Sequence, residues 1–246
     1  MDCSLTDRVA IVTGAAGGLG SAICAVLREQ GALVVPVDVH GAGMVIADVG
    51  TDEGTHAMVA EALGRHGRLD VLVLNAGTQH VSPIDVFPEE EWDRVLNVML
   101  KGPFLAVKHA WPALTARSGG RIVFTASSSS FVAEPYKPAY ISAKHGVLGL
   151  MRATAVEGGA FGLTANAVAP GLMLTDLIER QLPEQMRVRG ISRQEIIDLW
   201  VSGNAIKRPV ETREVANVIA FLASPAASGV TGATVPVELG ELINGD

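Results

Sequence analysis

The chain predicts an α/β fold, a doubly wound parallel sheet of about seven strands with helices on both faces. Three observations carry this reading. Short β-branched runs alternate with helical patterns along almost the whole length, the order that right-handed strand–helix–strand crossovers require. Hydrophobic residues make up 48% of the chain and aromatic residues only 4%, which suits Val/Ala/Leu-rich strands covered on both faces better than a sandwich of antiparallel strands. No linker, repeat or low-complexity segment divides residues 1–246, so a single domain is the economical organisation.

Strands are expected at residues 9–13, 33–37, 44–47, 71–74, 121–125, 164–168 and 234–237, and helices at 21–30, 53–66, 89–117, 139–158, 175–202 and 213–223. The first strand runs into Thr-Gly-Ala-Ala-Gly-Gly-Leu-Gly at 13–20. That is a strand, a glycine-rich turn and a helix start in order, with Gly14, Gly18, Leu19 and Gly20 placed to bring a pyrophosphate against bare N–H groups at the positive end of a helix. A Cβ there would block either the turn or the approach. Between the second and third strands, residues 40–43 are too few for a full crossover helix.

Ligands of such sheets lie beyond the carboxyl ends of the strands, so the residues that follow each strand carry the next inferences. Asp38 ends the second strand, 24 residues after Gly14. Its carboxylate can accept from both adenosine ribose hydroxyls and repel a 2′-phosphate, and Ala15, Ala16 and Val39 offer that phosphate no cation; NAD is favoured over NADP. A solvated loop aspartate is the plainer alternative. Asp48-Val49 after the third strand and Asn75-Ala76-Gly77 after the fourth suit a wall around adenine and ribose, and both also suit turns.

Tyr140 and Lys144, four positions apart in a helical stretch, share one helix face. A tyrosine with its ordinary pKa of about 10 is a poor base at neutral pH, and a nearby ammonium stabilises phenolate and draws that pKa down. Ser127, 13 residues before Tyr140 at the end of the fifth strand, can hold a substrate oxygen. On its own, such a Tyr/Lys pair is commonly a solvated surface pair; its place after the fifth strand, with the serine before it, sharpens the reading.

With these residues in place, the chain resembles the short-chain dehydrogenase/reductase family, whose sheet is of the Rossmann type, over essentially its full length. The matching segments are residues 13–20, Asn-Ala-Gly at 75–77, Asn97, Ser127, Tyr140-Ile-Ser-Ala-Lys144, Pro170-Gly171 with Thr175, Phe221-Leu-Ala-Ser and Thr231-Gly232. The resemblance implies that Tyr140 is the general acid/base, that Lys144 lowers its pKa and orients the cofactor, and that Ser127 positions the carbonyl or alcohol. It further implies that Asn97 holds a proton-relaying water, that Pro170, Gly171, Met173 and Thr175 line the nicotinamide, and that the protein is a homotetramer. Leu74 stands where the family usually has a second asparagine.

Within the family the chain is most similar to the D-3-hydroxybutyrate dehydrogenase branch, through Gln79-His-Val-Ser-Pro83, Lys137, Lys144-His145-Gly146 and Gln181. That branch holds a substrate carboxylate with the glutamines and the lysine, so Gln79, Lys137 and Gln181 are the expected carboxylate clamp, Gln181 lying in a lid at about 175–203. Ordinary loop residues on a generic ketoreductase are the alternative. Two departures stand out. Ser129 replaces a histidine, and Leu239-Gly240-Glu241 replaces a C-terminal Gly-Gly-Trp, which removes an aromatic wall and brings a carboxylate that either approaches the pocket or faces solvent.

The expected ligand is therefore a small-molecule alcohol or ketone, either a 3-hydroxy acid or a larger neutral or cyclic alcohol. A dinucleotide-binding protein without catalysis is a further alternative. A formal net charge of −7 without a basic cluster disfavours nucleic acid and anionic membranes as partners. Two isolated cysteines, Cys3 and Cys24, and six scattered histidines make neither a disulfide framework nor a metal spacing, which points to a reducing, cytoplasmic setting. Residues 9–12 are too short for a signal-peptide core, and no apolar stretch reaches spanning length.

Overall fold

The computed structural model describes residues 3–180 and 182–243. Its centre is a seven-stranded, wholly parallel sheet in the order β3-β2-β1-β4-β5-β6-β7. The strands are β1 (Val9–Thr13), β2 (Leu33–Asp38), β3 (Val45–Ile46), β4 (Val71–Leu74), β5 (Arg121–Thr125), β6 (Thr164–Pro170) and β7 (Thr234–Val237). Strand order reverses between β1 and β4, which leaves a crevice above their carboxyl ends.

Apolar runs are nearly continuous in the central strands β1, β4, β5 and β6 because both faces are covered. Val9, Ile11, Leu72 and Leu74 point into one core, and Ala10, Val12, Val71 and Val73 into the other. The first core is closed by α2 (Asp52–His66), α4 (Gly102–Thr115) and α5 (Pro138–Gly158), through Met58, Ala110, Leu114 and Met151. The second is closed by α1 (Gly18–Glu29) and α9 (Thr212–Ala223), through Ile23, Leu27, Val215 and Ile219. As expected, β2 joins β3 by a short loop and not by a helix.

Two expected helices are broken. The stretch 89–117 is divided into α3 (Glu89–Leu96), a π turn (Asn97–Lys101) and α4. Gly102 N–H reaches back five residues to the Asn97 carbonyl, and Pro103 has no N–H to continue an ordinary ladder. A Cβ on Gly102 would stand 2.3 Å from the Val49 carbonyl, so the wide turn lies where the helix presses on the β3–α2 loop. The stretch 175–202 holds α6 (Asp176–Glu179), α7 (Leu182–Arg189) and α8 (Arg193–Trp200). There Leu182, Ile196 and Ile197 form a small core of their own with Met186, Ile191 and Trp200. Among the described residues no helix is long and apolar enough to cross a membrane.

Two glycines of the first turn are demanded by packing. Gly14 has φ +67°, and a Cβ there would stand 2.7 Å from Ala76 Cα; a Cβ on Gly20 would stand 1.9 Å from the Gly14 carbonyl oxygen. Gly20→Ala is accordingly expected to destabilise the protein by at least about 2 kcal/mol through backbone overpacking, read as a fall in the urea midpoint at constant slope.

Candidate active site

The turn between β1 and α1 is held from below by side chains of neighbouring strand ends. Thr13 Oγ1 accepts from the N–H groups of Asn75 and Ala76, at 2.9 and 3.1 Å, and Asn75 Nδ2 donates to the Thr13 and Gly14 carbonyls. Asn75 thus braces the turn in this structure, a role the strand-end reading did not foresee, with Gly77 exposed beyond it. Asp38 closes the other side: its Oδ2 accepts from Ala16 N–H at 2.9 Å and its Oδ1 from Val39 N–H at 2.8 Å. Oδ1 also lies 3.4 Å from His40 Nδ1, and Oδ2 keeps a second acceptor direction. Asp48 is exposed, receiving Gly50 N–H at 2.8 Å, and Val49 beside it is buried.

These residues fit a dinucleotide. The N-cap of α1 is Gly17, whose position has no side-chain capping bond, and no acidic residue lies in the first turn; the first N–H groups and the positive helix end are left for an anion. Leu19 and Gly20 are buried under that turn, while Gly18 faces Thr175, whose Cγ2 would lie 3.5 Å from a Cβ placed on the glycine. The missing Cβ keeps open a slot between the turn and the segment after β6. Pro170 ends β6 in the core, and Gly171, Met173 and Thr175 follow it half-buried along the crevice.

On the other side of the crevice, β5 ends at Thr125 and leads into four buried serines. Ser127 caps a short 3₁₀ turn, its Oγ accepting from Ser129 N–H at 3.2 Å while Ser130 Oγ accepts from Ser127 N–H. Helix α5 starts one residue after Lys137, with Pro138 preset for a helix start. It brings Tyr140 into hydrogen-bond contact with the Ser127 hydroxyl. Lys144, one turn on, lies 5.7 Å from the centre of the Tyr140 ring and donates to the Thr125 carbonyl at 2.6 Å. The triad expected from sequence is assembled.

Its titration differs from the expectation. In this structure the phenol is pushed up: burial outweighs the Ser127 hydrogen bond, and the negative charge of Glu134 adds to the rise. Burial pulls the Lys144 ammonium from 10.5 down to about 8. The expected acidification of Tyr140 by Lys144 is therefore corrected: burial and Glu134 raise the phenol, and Lys144 is not among the groups that lower it. Both charged forms are penalised by burial, and the ammonium donates to the Thr125 backbone carbonyl.

The π turn sets Asn97, half-buried, at the end of α3. Leu100 of that turn lies against α5 at Gly146, where a Cβ would come within 2.9 Å of it. Of the carboxylate clamp, Gln79 lies half-buried after β4, whereas Gln181 is outside the described residues. Lys137, at the N-terminus of α5, is not alone: its Nζ pairs with Glu134 Oε2 at 2.6 Å, and Ser129 Oγ donates to Glu134 Oε1 at 2.7 Å. Glu241 is half-buried and approaches the crevice, with Oε2 3.1 Å from where a Cβ on Gly171 would be, and it hydrogen-bonds Ser128. Sequence reasoning missed Glu134 altogether, although an acid three residues before the lysine was a legible signal.

The fold and the dinucleotide cradle define a nucleotide-dependent oxidoreductase, and comparison with known proteins agrees. A family model described as enoyl-(acyl carrier protein) reductase matches residues 14–241. The D-beta-hydroxybutyrate dehydrogenase of Rhizobium meliloti (strain 1021) is 34% identical over 252 residues, covering 95% of this chain and 98% of that protein. The cis-4-hydroxycyclohexanecarboxylate dehydrogenase of Sinomonas cyclohexanicum is 38% identical over 253 residues, covering 96% and 97%. Among solved structures, ligand-free aldohexose dehydrogenase of Thermoplasma acidophilum superposes with a TM-score of 0.91 at 30% identity, covering 97% of this chain and 95% of that one. The chain belongs to the short-chain dehydrogenase/reductase family, enzymes acting on hydroxyl groups with a nicotinamide dinucleotide.

Proposed function

We propose that the protein is an NAD-dependent oxidoreductase that interconverts a secondary alcohol and its ketone. The observation that carries this reading is the meeting of Tyr140, Ser127 and Lys144 beside the glycine turn, at the carboxyl ends of the strands. Bound dinucleotide supplies the hydride acceptor in oxidation and the donor in reduction. Tyr140 Oη takes or gives the proton of the substrate oxygen, and Ser127 Oγ holds that oxygen by a hydrogen bond. Lys144 donates to the nicotinamide ribose, with Asn97 holding a water that refills the proton. Pro170, Gly171, Met173 and Thr175 line the nicotinamide, Asp48, Val49, Asn75, Ala76 and Gly77 line the adenosine side, and residues 175–203 act as a lid. The separate apolar core of that segment supports its moving as a unit. A homotetramer belongs to the same reading, supported by apolar side chains left exposed on α4 and α5, Phe104 at 51% and Val156 at 82%.

Two substrate readings stand. A small 3-hydroxy acid such as D-3-hydroxybutyrate is supported by the name of the Rhizobium meliloti relative, with Gln79, Lys137 and Gln181 on its carboxylate. A neutral or cyclic alcohol is supported by the Glu134 carboxylate on Lys137 and by the ring-bearing and sugar substrates that the other relatives' names carry. Absorbance of NADH or NADPH formed from D- and L-3-hydroxybutyrate, cyclic diols, sugars and hydroxy esters tests the reading; no turnover of any alcohol with either cofactor would overturn it.

NAD is favoured by Asp38, which faces the crevice with only 12% of its side chain exposed. Asp38→Asn removes the charge that repels a 2′-phosphate and keeps an acceptor, so the NAD-over-NADP ratio of kcat/KM is expected to fall at least about tenfold. An unchanged ratio would remove Asp38 from that role.

A further inference from the structure

We propose that Glu134 is a specificity-determining residue that occupies the Lys137 ammonium and, together with Glu241, sets the substrate pocket against carboxylates, so that the enzyme takes an uncharged alcohol or ketone. This rests on the alcohol/ketone reading above and narrows its substrate class.

The Lys137 ammonium, the cation of the expected carboxylate clamp, already has a partner. Lys137 Nζ lies 2.6 Å from Glu134 Oε2, and the other oxygen of that carboxylate is fastened by the Ser129 hydroxyl at 2.7 Å. Ser129 is itself buried, at 3% exposure, and Lys137 keeps only 21% of its side chain in solvent. The loop that carries the pair is held in place. Tyr136, between the two residues, has φ +67°, a left-handed backbone that a bulky side chain rarely adopts without tertiary support. The support is visible: its carbonyl accepts the Ser82 N–H at 2.9 Å, tying this loop to the one after β4.

A substrate carboxylate would have to take Lys137 from Glu134. The gain of one ion pair is then offset by the loss of another, because the Lys137–Glu134 pair has to be broken first and Glu134, 44% of whose side chain is exposed, keeps only the Ser129 hydroxyl. The surroundings add repulsion. Glu241 stands beside Gly171 and hydrogen-bonds Ser128, next to the serine that meets Tyr140. Glu238 is 9% exposed, with Oε2 accepting from Leu242 N–H. Glu134 and Glu238 are both close enough to Glu241 to raise its pKa, after burial itself. Glu134, Glu238 and Glu241 thus lie near one another, and the Lys137 ammonium is already paired with the first of them. An uncharged substrate meets none of these costs, and discrimination built from unfavourable contacts with the wrong ligand is a common route to specificity.

The test compares 3-hydroxybutyrate with its ethyl ester in the parent, Glu134→Gln, Lys137→Met and the double variant. The parent is expected to prefer the ester in kcat/KM. Glu134→Gln keeps the Ser129 bond and frees the ammonium, so the acid should gain at least about tenfold on the ester, through KM more than kcat. Adding Lys137→Met to that variant should cancel the gain, and Lys137→Met alone should not improve the acid. The same preference is read without turnover by calorimetric titration of the NADH-loaded enzyme with butyrate and butyramide, the amide expected to bind more tightly and the gap to close in Glu134→Gln. A parent that prefers the acid or butyrate, a ratio unmoved by Glu134→Gln, or binding of neither ligand would each overturn the proposal. Turnover of any neutral alcohol in the same preparation keeps the oxidoreductase reading standing when the specificity proposal fails.

Discussion

Replacing Tyr140 by phenylalanine is expected to lower kcat/KM by about a hundred- to ten-thousand-fold, the usual worth of a positioned general acid/base, while NADH affinity stays within about twofold. The structure gives the reason for so large a loss. The remaining hydroxyl in contact, Ser127, is an aliphatic alcohol whose Oγ already accepts from Ser129 N–H, and it is far too weak an acid to take over. Lys144 donates to the Thr125 carbonyl at 2.6 Å and lies 5.7 Å from the ring centre. Phenylalanine keeps the ring that packs against Val95, Met99, Ala139 and Ala143, so the fold should survive. Fluorescence titration with NADH, run beside steady-state rates, separates loss of chemistry from loss of binding. Near-parent rates would dismiss Tyr140 as the proton donor.

Most of the sheet was legible because period and burial agree. A strand covered on both faces is apolar almost throughout, as β1 and β4 are, and the runs at 9–13, 71–74 and 121–125 match β1, β4 and β5 end to end; the run at 234–237 matches β7 although that edge strand is only partly covered. The helix through Asn97 was less legible. Apolar spacing continues across the break, and only Gly102-Pro103 announces it, a pair equally at home in the first turn of a helix. Residues 175–202 were read as one helical stretch because their periodic pattern hides the turns before Leu182 and Arg193.

For the site, the spacing of Tyr140 and Lys144 found the partners but not their titration, since depth of burial is a property of the assembled fold. Lys137 was visible and its state was not. An isolated ammonium in an acidic chain reads as an anion clamp, whereas Glu134, Ser129 and the left-handed Tyr136 together make it half of an internal pair. The Glu241 tail shows the same limit: its sequence position left it either at the pocket or in solvent, and only the approach to Gly171 decides.

Lys144→Met is expected to remove turnover and, at neutral pH, to make the protein more stable. In the unfolded chain this amine keeps its proton up to about 10.5, whereas burial in the native protein lowers that point to about 8. Between the two values the unfolded state binds more protons, so native stability rises with pH across that window. Below about pH 8 both states are charged and the burial penalty is present in full, on the order of 3 kcal/mol for such a shift. Methionine is free of that penalty but leaves the Thr125 carbonyl without its donor, at roughly 1–2 kcal/mol. The net expectation is a gain of about 1–2 kcal/mol at pH 7 that shrinks as pH approaches 10. Above 10 a second group takes part: the native protein holds the Tyr140 phenol proton longer than the unfolded chain does, so stability falls there. Urea midpoints of the parent and Lys144→Met at pH 7, 8.5 and 10 read both effects, and a variant less stable than the parent at pH 7 would refute the account. A lysine whose removal strengthens the fold while ending catalysis is one whose buried position is explained by the reaction alone.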